Sequence, residues 1–234
     1  MADTANLALP LLDAAQAQKH VTVNEALARV DALSFGAVAS VGQTTPPVVQ
    51  DGAVHIVGSG ATDAWAGQDM ALAIGANGGW SFYAPRAGWS VWALAESEIY
   101  VFDGSGWRAG AVAMSSGGAV TSERVLEFDQ TLSGSATTTS GQIPDKAVVL
   151  GVTARVITEV AGATAWSLGV SGSPDRYGAG FGTALNTSAE GVTGQPQAYY
   201  GGTPLEITAA GGSFTAGQLR IAIHYQSIAA PGAV

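Results

Sequence analysis

Glycine decides what this chain can fold into. It occupies 32 of the 234 positions, about twice the ~7 per cent of ordinary usage, and it falls between short apolar runs rather than inside a long one. A residue without Cβ weakens helix interiors and supplies the left-handed backbone of tight turns, so the sequence reads as many short strands joined by turns. From Val48 to Trp107 the runs Ala53–Val57, Trp80–Tyr83, Trp89–Trp92 and Ile99–Phe102 each adjoin Asp-Gly, Gly-Gly or a single Gly, as β-hairpins do. Trp65, Trp80, Trp89, Trp92 and Trp107 share this region. They are read as core, because each indole buries ~150–250 Å² and a Gly-rich sheet needs bulk; the other reading is a set of sugar platforms.

Further along, Val148, Leu150, Val152, Ala154 and Val156 form one apolar strand face, and Leu219, Ile221, Ile223 and Tyr225 alternate with Arg220, Ala222, His224 and Gln226. That period of two marks half-buried strands. With Arg124–Asp129, Thr164–Val170 and Leu205–Thr208 it gives an antiparallel β-sandwich, jelly-roll-like, over 123–234. Helical spacing is confined to Leu7–Leu33. Thr22 to Glu25 fits a capping box, followed by an apolar stripe of Val23, Ala26, Leu27, Val30 and Leu33 that Gly36 can end. The expected organisation is therefore mainly β: an N-terminal helical attachment or oligomerisation segment at 1–36, a small Trp/Gly-rich β-domain at 37–108, an uncharged linker at 109–122, and the sandwich.

Charge and cysteine bound the partners. Nine basic against eighteen acidic side chains give a net charge of -9, and no basic run exists to displace counterions from a phosphate backbone, so nucleic acid is not expected. The excess is spread as four basic against ten acidic residues before Val120 and five against eight from there on. An anionic polysaccharide would then need local help from Arg155, Arg176 or Arg220. Without cysteine there is no disulfide, thiolate metal site or thiol nucleophile. The start Met1–Asn6 lacks a cationic leader and no apolar run reaches ~18 residues, so the reading is a chain made in the cytoplasm with no membrane insertion.

Leu9-Pro10, Gln16–Leu27 and Asp31–Leu33, continued through Pro46-Pro47, Asp51-Gly52, Ile56–Gly58, Ala64–Gly67, Gly79-Trp80, Pro85, Gly88-Trp89 and Gly106-Trp107, carry a resemblance. This half resembles an uncharacterised domain family of fibre and spike proteins from alphaproteobacterial prophages and gene transfer agents. The second half, through Ile143–Asp145, Gly151–Thr153, Trp166–Val170 and Ala222–Tyr225, is similar to the C-terminal β-domain of such fibres. The resemblance implies a structural subunit of a phage-like particle, homotrimeric, located in the virion, in contact with other capsid, spike or tail proteins and with the recipient's surface or capsular polysaccharide. It implies no catalytic residue, cofactor or metal. Lys19, His20 and Asn24 are then candidate assembly contacts, or else residues that cap and solvate a helix.

Binding residues gather on loops of rigid scaffolds. Asp175, Arg176 and Tyr177 follow Ser173-Pro174, and Tyr199-Tyr200 precede Gly201-Gly202; these five are the candidate carbohydrate contacts, against a reading as loop-folding or subunit contacts. His20, His55 and His224 lack metal-ligand spacing. Glu123, Glu127, Asp129, Asp145, Glu159, Asp175, Glu190 and Glu206 form no recognisable acid pair, and no nucleophile elbow occurs. A non-enzymatic receptor-binding subunit is the leading expectation. A purely structural adaptor comes second and a polysaccharide depolymerase third.

Overall fold

The computed structural model describes residues 3–12, 19–34 and 36–232. The chain divides into two compact units, Met1–Ala111 and Val112–Val234, and as expected it is mainly β with a helix near the N-terminus.

The first unit holds α1 (Lys19–Leu33) and the strands β1 (Ala37–Val38), β2 (Ser40–Gln43), β3 (Val54–Val57), β4 (Leu72–Ala76), β5 (Gly79–Tyr83), β6 (Ser90–Ala93), β7 (Glu98–Phe102) and β8 (Trp107–Ala109). They form two four-stranded sheets, ordered β2-β3-β4-β5 and β1-β6-β7-β8. Hairpins dominate, but β2 runs parallel to β3 and β1 parallel to β6. The β4–β5 turn is Asn77-Gly78, with φ of +52° and +72°, the double left-handed geometry that matches strand twist. Strand β3 is buried on both faces: Val54 and Ile56 join the larger apolar cluster with Leu72, Ile74 and Val91, whereas Val57 points to a smaller one around Trp65 and Ala73.

The helix differs from the sequence expectation in start and rotation. It already runs at Lys19, so Thr22 and Glu25 lie inside it and form no capping box. Of the expected apolar stripe, Leu27 and Leu33 are half-buried, while Val23, Ala26 and Val30, the last 50 % accessible, face outward. Asp31 causes this. It is 4 % accessible and receives hydrogen bonds from Thr4 Oγ1 at 2.7 Å, the Asn6 amide at 2.9 Å, Asn6 Nδ2 at 3.0 Å and the Leu7 amide. Two turns earlier on the same face, Asn24 Oδ1 accepts from the Leu12 amide and Asn24 Nδ2 donates to the Leu12 carbonyl. A buried carboxylate must keep such partners, so the polar anchors fix which side of α1 points inward.

The second unit stacks the sheet β14-β12-β16-β10-β9 on the sheet β11-β15-β13. Its strands are β9 (Ala111–Met114), β10 (Val120–Thr131), β11 (Ala136–Ile143), β12 (Val148–Ala161), β13 (Ala165–Val170), β14 (Ser188–Ala198), β15 (Thr203–Ala210) and β16 (Ala216–Ala229). One apolar cluster joins both sheets, with Val152, Val156, Ile221 and Ile223 from one and Leu168, Leu205 and Ile207 from the other. Leu219, Ile221, Ile223 and Tyr225 all point into it, as their alternation predicted. On β12 the expected face breaks: Val149 is buried where Val148 and Leu150 are half-exposed, because a register shift between Val149 and Gly151 reverses the alternation. The stretch 109–122, read as a linker, instead carries β9 and the start of β10. Its Ser-Ser-Gly-Gly makes the intervening turn, where the Ser115 amide donates to the Ala119 carbonyl and Gly118 has a φ of +82°.

Asp31→Asn should free the N-terminal segment. It replaces one of the two acceptor oxygens with a donor, set against either the Asn6 amide or the Leu7 amide because each bonds a different oxygen, at a cost of about 1–3 kcal/mol, so hydrogen exchange at one or both of these amides should accelerate while β16 stays protected; unchanged protection at both Asn6 and Leu7 would refute the anchor.

Candidate functional site

The candidate carbohydrate residues do not form one surface. Tyr177 and Tyr199 are buried, their hydroxyls 2.9 Å apart in the sandwich core, and burial with this hydrogen bond pushes the Tyr177 hydroxyl well up. Their rings are core rather than sugar contacts. Asp175, Arg176 and Tyr200 remain exposed. The Tyr177 backbone lies against Gly191, opposite Val152, and the Tyr199 amide bonds the Ala147 carbonyl. Five residues of β12 separate those points, about 16 Å at strand rise, so Asp175 and Arg176 belong to a different patch from Tyr200.

Tyr200, 81 % accessible, sits on a pinned loop. The Gly201 amide donates to Asp145 Oδ1 at 2.6 Å, and the Lys146 amide donates to the Tyr199 carbonyl at 2.8 Å. An aromatic face held out by such a loop can stack on a sugar ring, with the exposed Asp145 and Lys146 beside it. Lys146 escaped the sequence reading; its signal is structural, a φ of +61° that turns the chain beside Tyr200.

Lys19 and His20 open α1, and their side chains lie outside the described residues, as do Gln16–Gln18. Asn24 holds Leu12 of its own chain, which leaves little of its amide for a neighbour. Among the five N-terminal tryptophans, Trp65 is fully buried and Trp80, Trp89 and Trp107 are half-buried. Trp92 departs from the core expectation: it is 47 % accessible beside its cross-strand partner Ile99.

The outer face of the five-stranded sheet carries the acidic residues an enzyme would need. Glu127 opposes Ala222, Ala222 opposes Thr153, and Thr153 opposes Glu190. Three strand spacings separate the two glutamates, about 14 Å, against ~5–9.5 Å between the carboxylates of glycosidases. Asp129 is closer to Glu127, but it takes both Nε and Nη2 of Arg220 at 2.8 and 2.9 Å, and this bond to Arg220 lowers its pKa. That is the wrong direction for a general acid. Arg155 donates to the Asn186 carbonyl. Among the described residues no three His, Asp or Glu side chains converge as metal ligands, and no helix is long and apolar enough to cross a membrane.

The first unit contains two further features. A cleft of about 680 Å³ runs between α1 and the β4–β5 hairpin, with Glu25 and Arg29 on one side and Asn77, Ser81 and Tyr83 on the other. Arg29 Nε donates to the Tyr83 hydroxyl at 3.1 Å while its guanidinium lies 4.8 Å from that ring's centroid. On the other side of the sheet, buried His55 shares a hydrogen bond with Ser40 Oγ at 2.8 Å and lies 5.6 Å from both the Trp65 and Trp80 rings. Burial depresses its pKa.

Residues 23–108 match the model of a family described as protein of unknown function (DUF2793). The match spans most of α1 through β8, in keeping with the resemblance of this half to an uncharacterised domain family. Among solved structures, a chain from "Bacillus endospore appendages form a novel family of disulfide-linked pili" aligns with 49% of this chain and 96% of its own length, at 13% identity and a TM-score of 0.24. No curated protein matches the chain.

Two outcomes follow. Tyr177→Phe should cost the second unit about 1–3 kcal/mol by leaving the Tyr199 hydroxyl buried alone, and the double change with Tyr199→Phe should cost less than the two single changes summed; additive losses in denaturant melts would reject the pair. For His55 the neutral form is favoured in the fold, so its contribution is intact above the unfolded value near 6.5 and declines as pH falls below it. Tryptophan-monitored melts should therefore lose stability from about pH 7 to 5, and His55→Asn should flatten that slope; an unaltered slope would exclude His55.

Proposed function

We propose that this chain is a structural fibre or spike subunit of a phage-like particle, a gene transfer agent or prophage, that binds a recipient's surface or capsular polysaccharide without cutting it. The observation that carries the assembly half of this reading is the outward stripe of Val23, Ala26 and Val30. An amphipathic helix normally hides such a stripe against its own core. Here the inner side is occupied by the bonds of Asn24 and Asp31, so other copies, as in a homotrimer, or neighbouring particle proteins are the natural cover.

The sugar-binding half rests on the family resemblance and on the pinned, exposed Tyr200. Weak single sites suffice, because several subunits per particle acting together raise apparent affinity by ~10²–10⁴. The 14 Å gap between Glu127 and Glu190 and the lowered pKa of Asp129 speak for holding rather than hydrolysing the polymer. A purely structural adaptor shares the helix stripe and differs only in lacking glycan affinity.

Val23→Glu with Val30→Glu should reduce the native mass to that of a single chain and exclude it from particles, with the tryptophan emission of the first unit preserved. An unchanged mass would refute assembly through α1. Particles from a deletion strain should assemble yet adhere poorly to cells, and wild-type adherence would reject receptor binding.

A further inference from the structure

The side of α1 opposite its valine stripe forms the wall of a cleft within the first unit. Val21, Asn24, Glu25, Ala28 and Arg29 recur at i, i+3, i+4, i+7 and i+8, the spacing of one helix face, and all five line the 680 Å³ cleft. This wall is open, with Val21, Glu25 and Arg29 exposed along it, and the stripe of Val23, Ala26 and Val30 lies on the opposite side of the helix. Part of this arrangement follows from Asp31 and Asn24. Those two bonds do not account for Glu25, which takes no hydrogen bond from any described residue, or for the polar groups that meet it across the cleft.

Across from α1, β4 and β5 present Asn77, Ser81 and Tyr83, and the turn before β3 presents Asp51. The Asn77 side chain and the Ser81 hydroxyl likewise have no partner among the described residues. The volume lies inside the ~300–1,000 Å³ range of small-molecule sites. Its chemistry is mixed: carboxylates and an amide oxygen accept, an amide nitrogen and the guanidinium donate, and a hydroxyl does both. A ligand whose own groups donate and accept together answers that set, and a run of sugar hydroxyls does so. Glu25 and Asp51 disfavour an anionic ligand, and the lining mixes these polar groups with apolar ones such as Leu11, Val21 and Ile74, which suits the hydroxyl edge and the apolar face of a sugar ring together.

We propose that this cleft between α1 and the β4–β5 hairpin is a subsite for a short neutral or amino-substituted saccharide, carrying no carboxylate, sulfate or phosphate. Glu25 and Asp51 receive hydroxyl or ammonium protons, Asn77 and Ser81 bracket the ring edge, and Tyr83 is kept in place by Arg29. This inference rests on the polysaccharide-binding reading but assigns contact to the first unit, away from Tyr200.

The test is an NMR titration of the isotope-labelled full chain with chitotriose, its de-acetylated counterpart, a sulfated trisaccharide and oligolysine. The amides of Asn77, Ser81 and the Glu25 turn should shift with the first two probes and not with the sulfated one. Glu25→Gln with Asp51→Asn should weaken the amino sugar about tenfold and the neutral one less, with the remaining spectrum unchanged. Saccharide shifts confined to Tyr200, Asp145 and Lys146 would overturn the cleft site while sparing the proposed function; saccharide shifts nowhere would overturn both. Cleft shifts with oligolysine alone would overturn it in favour of a basic-peptide groove.

Discussion

Asp31 organises the first unit. Its carboxylate collects four hydrogen bonds from the N-terminal segment while almost excluded from water. Burial alone would raise its pKa, but the bonds from Thr4, Asn6 and Leu7 outweigh that and lower it. A group in this state cannot be rotated toward solvent without stranding several backbone donors. The helix therefore takes its orientation from a polar contact, and the apolar residues accommodate: Ala32 and Leu33 at the C-terminal end reach the larger cluster, while Val23, Ala26 and Val30 do not. Gly52 completes the anchor, since a Cβ there would stand 2.4 Å from the Ala5 methyl, closer than the segment could lie beside any other residue.

The second unit is organised differently, by apolar area. β12 and β16 run side by side through the middle of the five-stranded sheet, and their inward residues meet Leu168, Leu205 and Ile207 from the opposing sheet. Within this core the Tyr177 and Tyr199 hydroxyls satisfy each other, and the Trp166 indole N–H donates to the Gly182 carbonyl. The two loops meet β12 at different points, Tyr177 near Val152 and Tyr199 at Ala147, so only their inward hydroxyls come together. That is why Asp175 and Arg176 do not share a surface with Tyr200.

How much of this could be read from the sequence depends on the range of the deciding contact. The inward face of β16 was legible because Leu219, Ile221, Ile223 and Tyr225 alternate without a break. β12 was not, since Val148, Val149 and Leu150 are all apolar and parity cannot choose between them; the register shift chooses. The helix was legible in existence but not in rotation, for Asp31 is held by partners 24 to 27 residues away that no local period records. Thr22–Glu25 looked like a cap because the pattern is local, and the helix passes through it from Lys19. Tyr177 and Tyr199 looked like a binding site for the opposite reason: their turn-rich surroundings suggested exposure, and only the fold brings one hydroxyl to the other. The cleft was not legible, because its far wall comes from the β4–β5 hairpin, far along the chain, which no local helical period records.

On the proposed reading, assembly and recognition both involve one element, α1. A stripe of valines facing water is unfavourable for a single chain, and covering it with another copy removes that exposed area. The opposite side of the helix carries Glu25 and Arg29 at the wall of the cleft, where they stay exposed. The valine stripe and the cleft wall both fall on the same fifteen residues of α1. Because Val23 and Val30 lie on the helix that also carries Glu25 and Arg29, a contact that fixes the outer side fixes the cleft wall as well. If the proposed assembly covers the outer side of α1, ordering the wall in advance would lower the entropy that a flexible saccharide site loses on binding, so an assembled subunit would gain tighter single sites in addition to more of them.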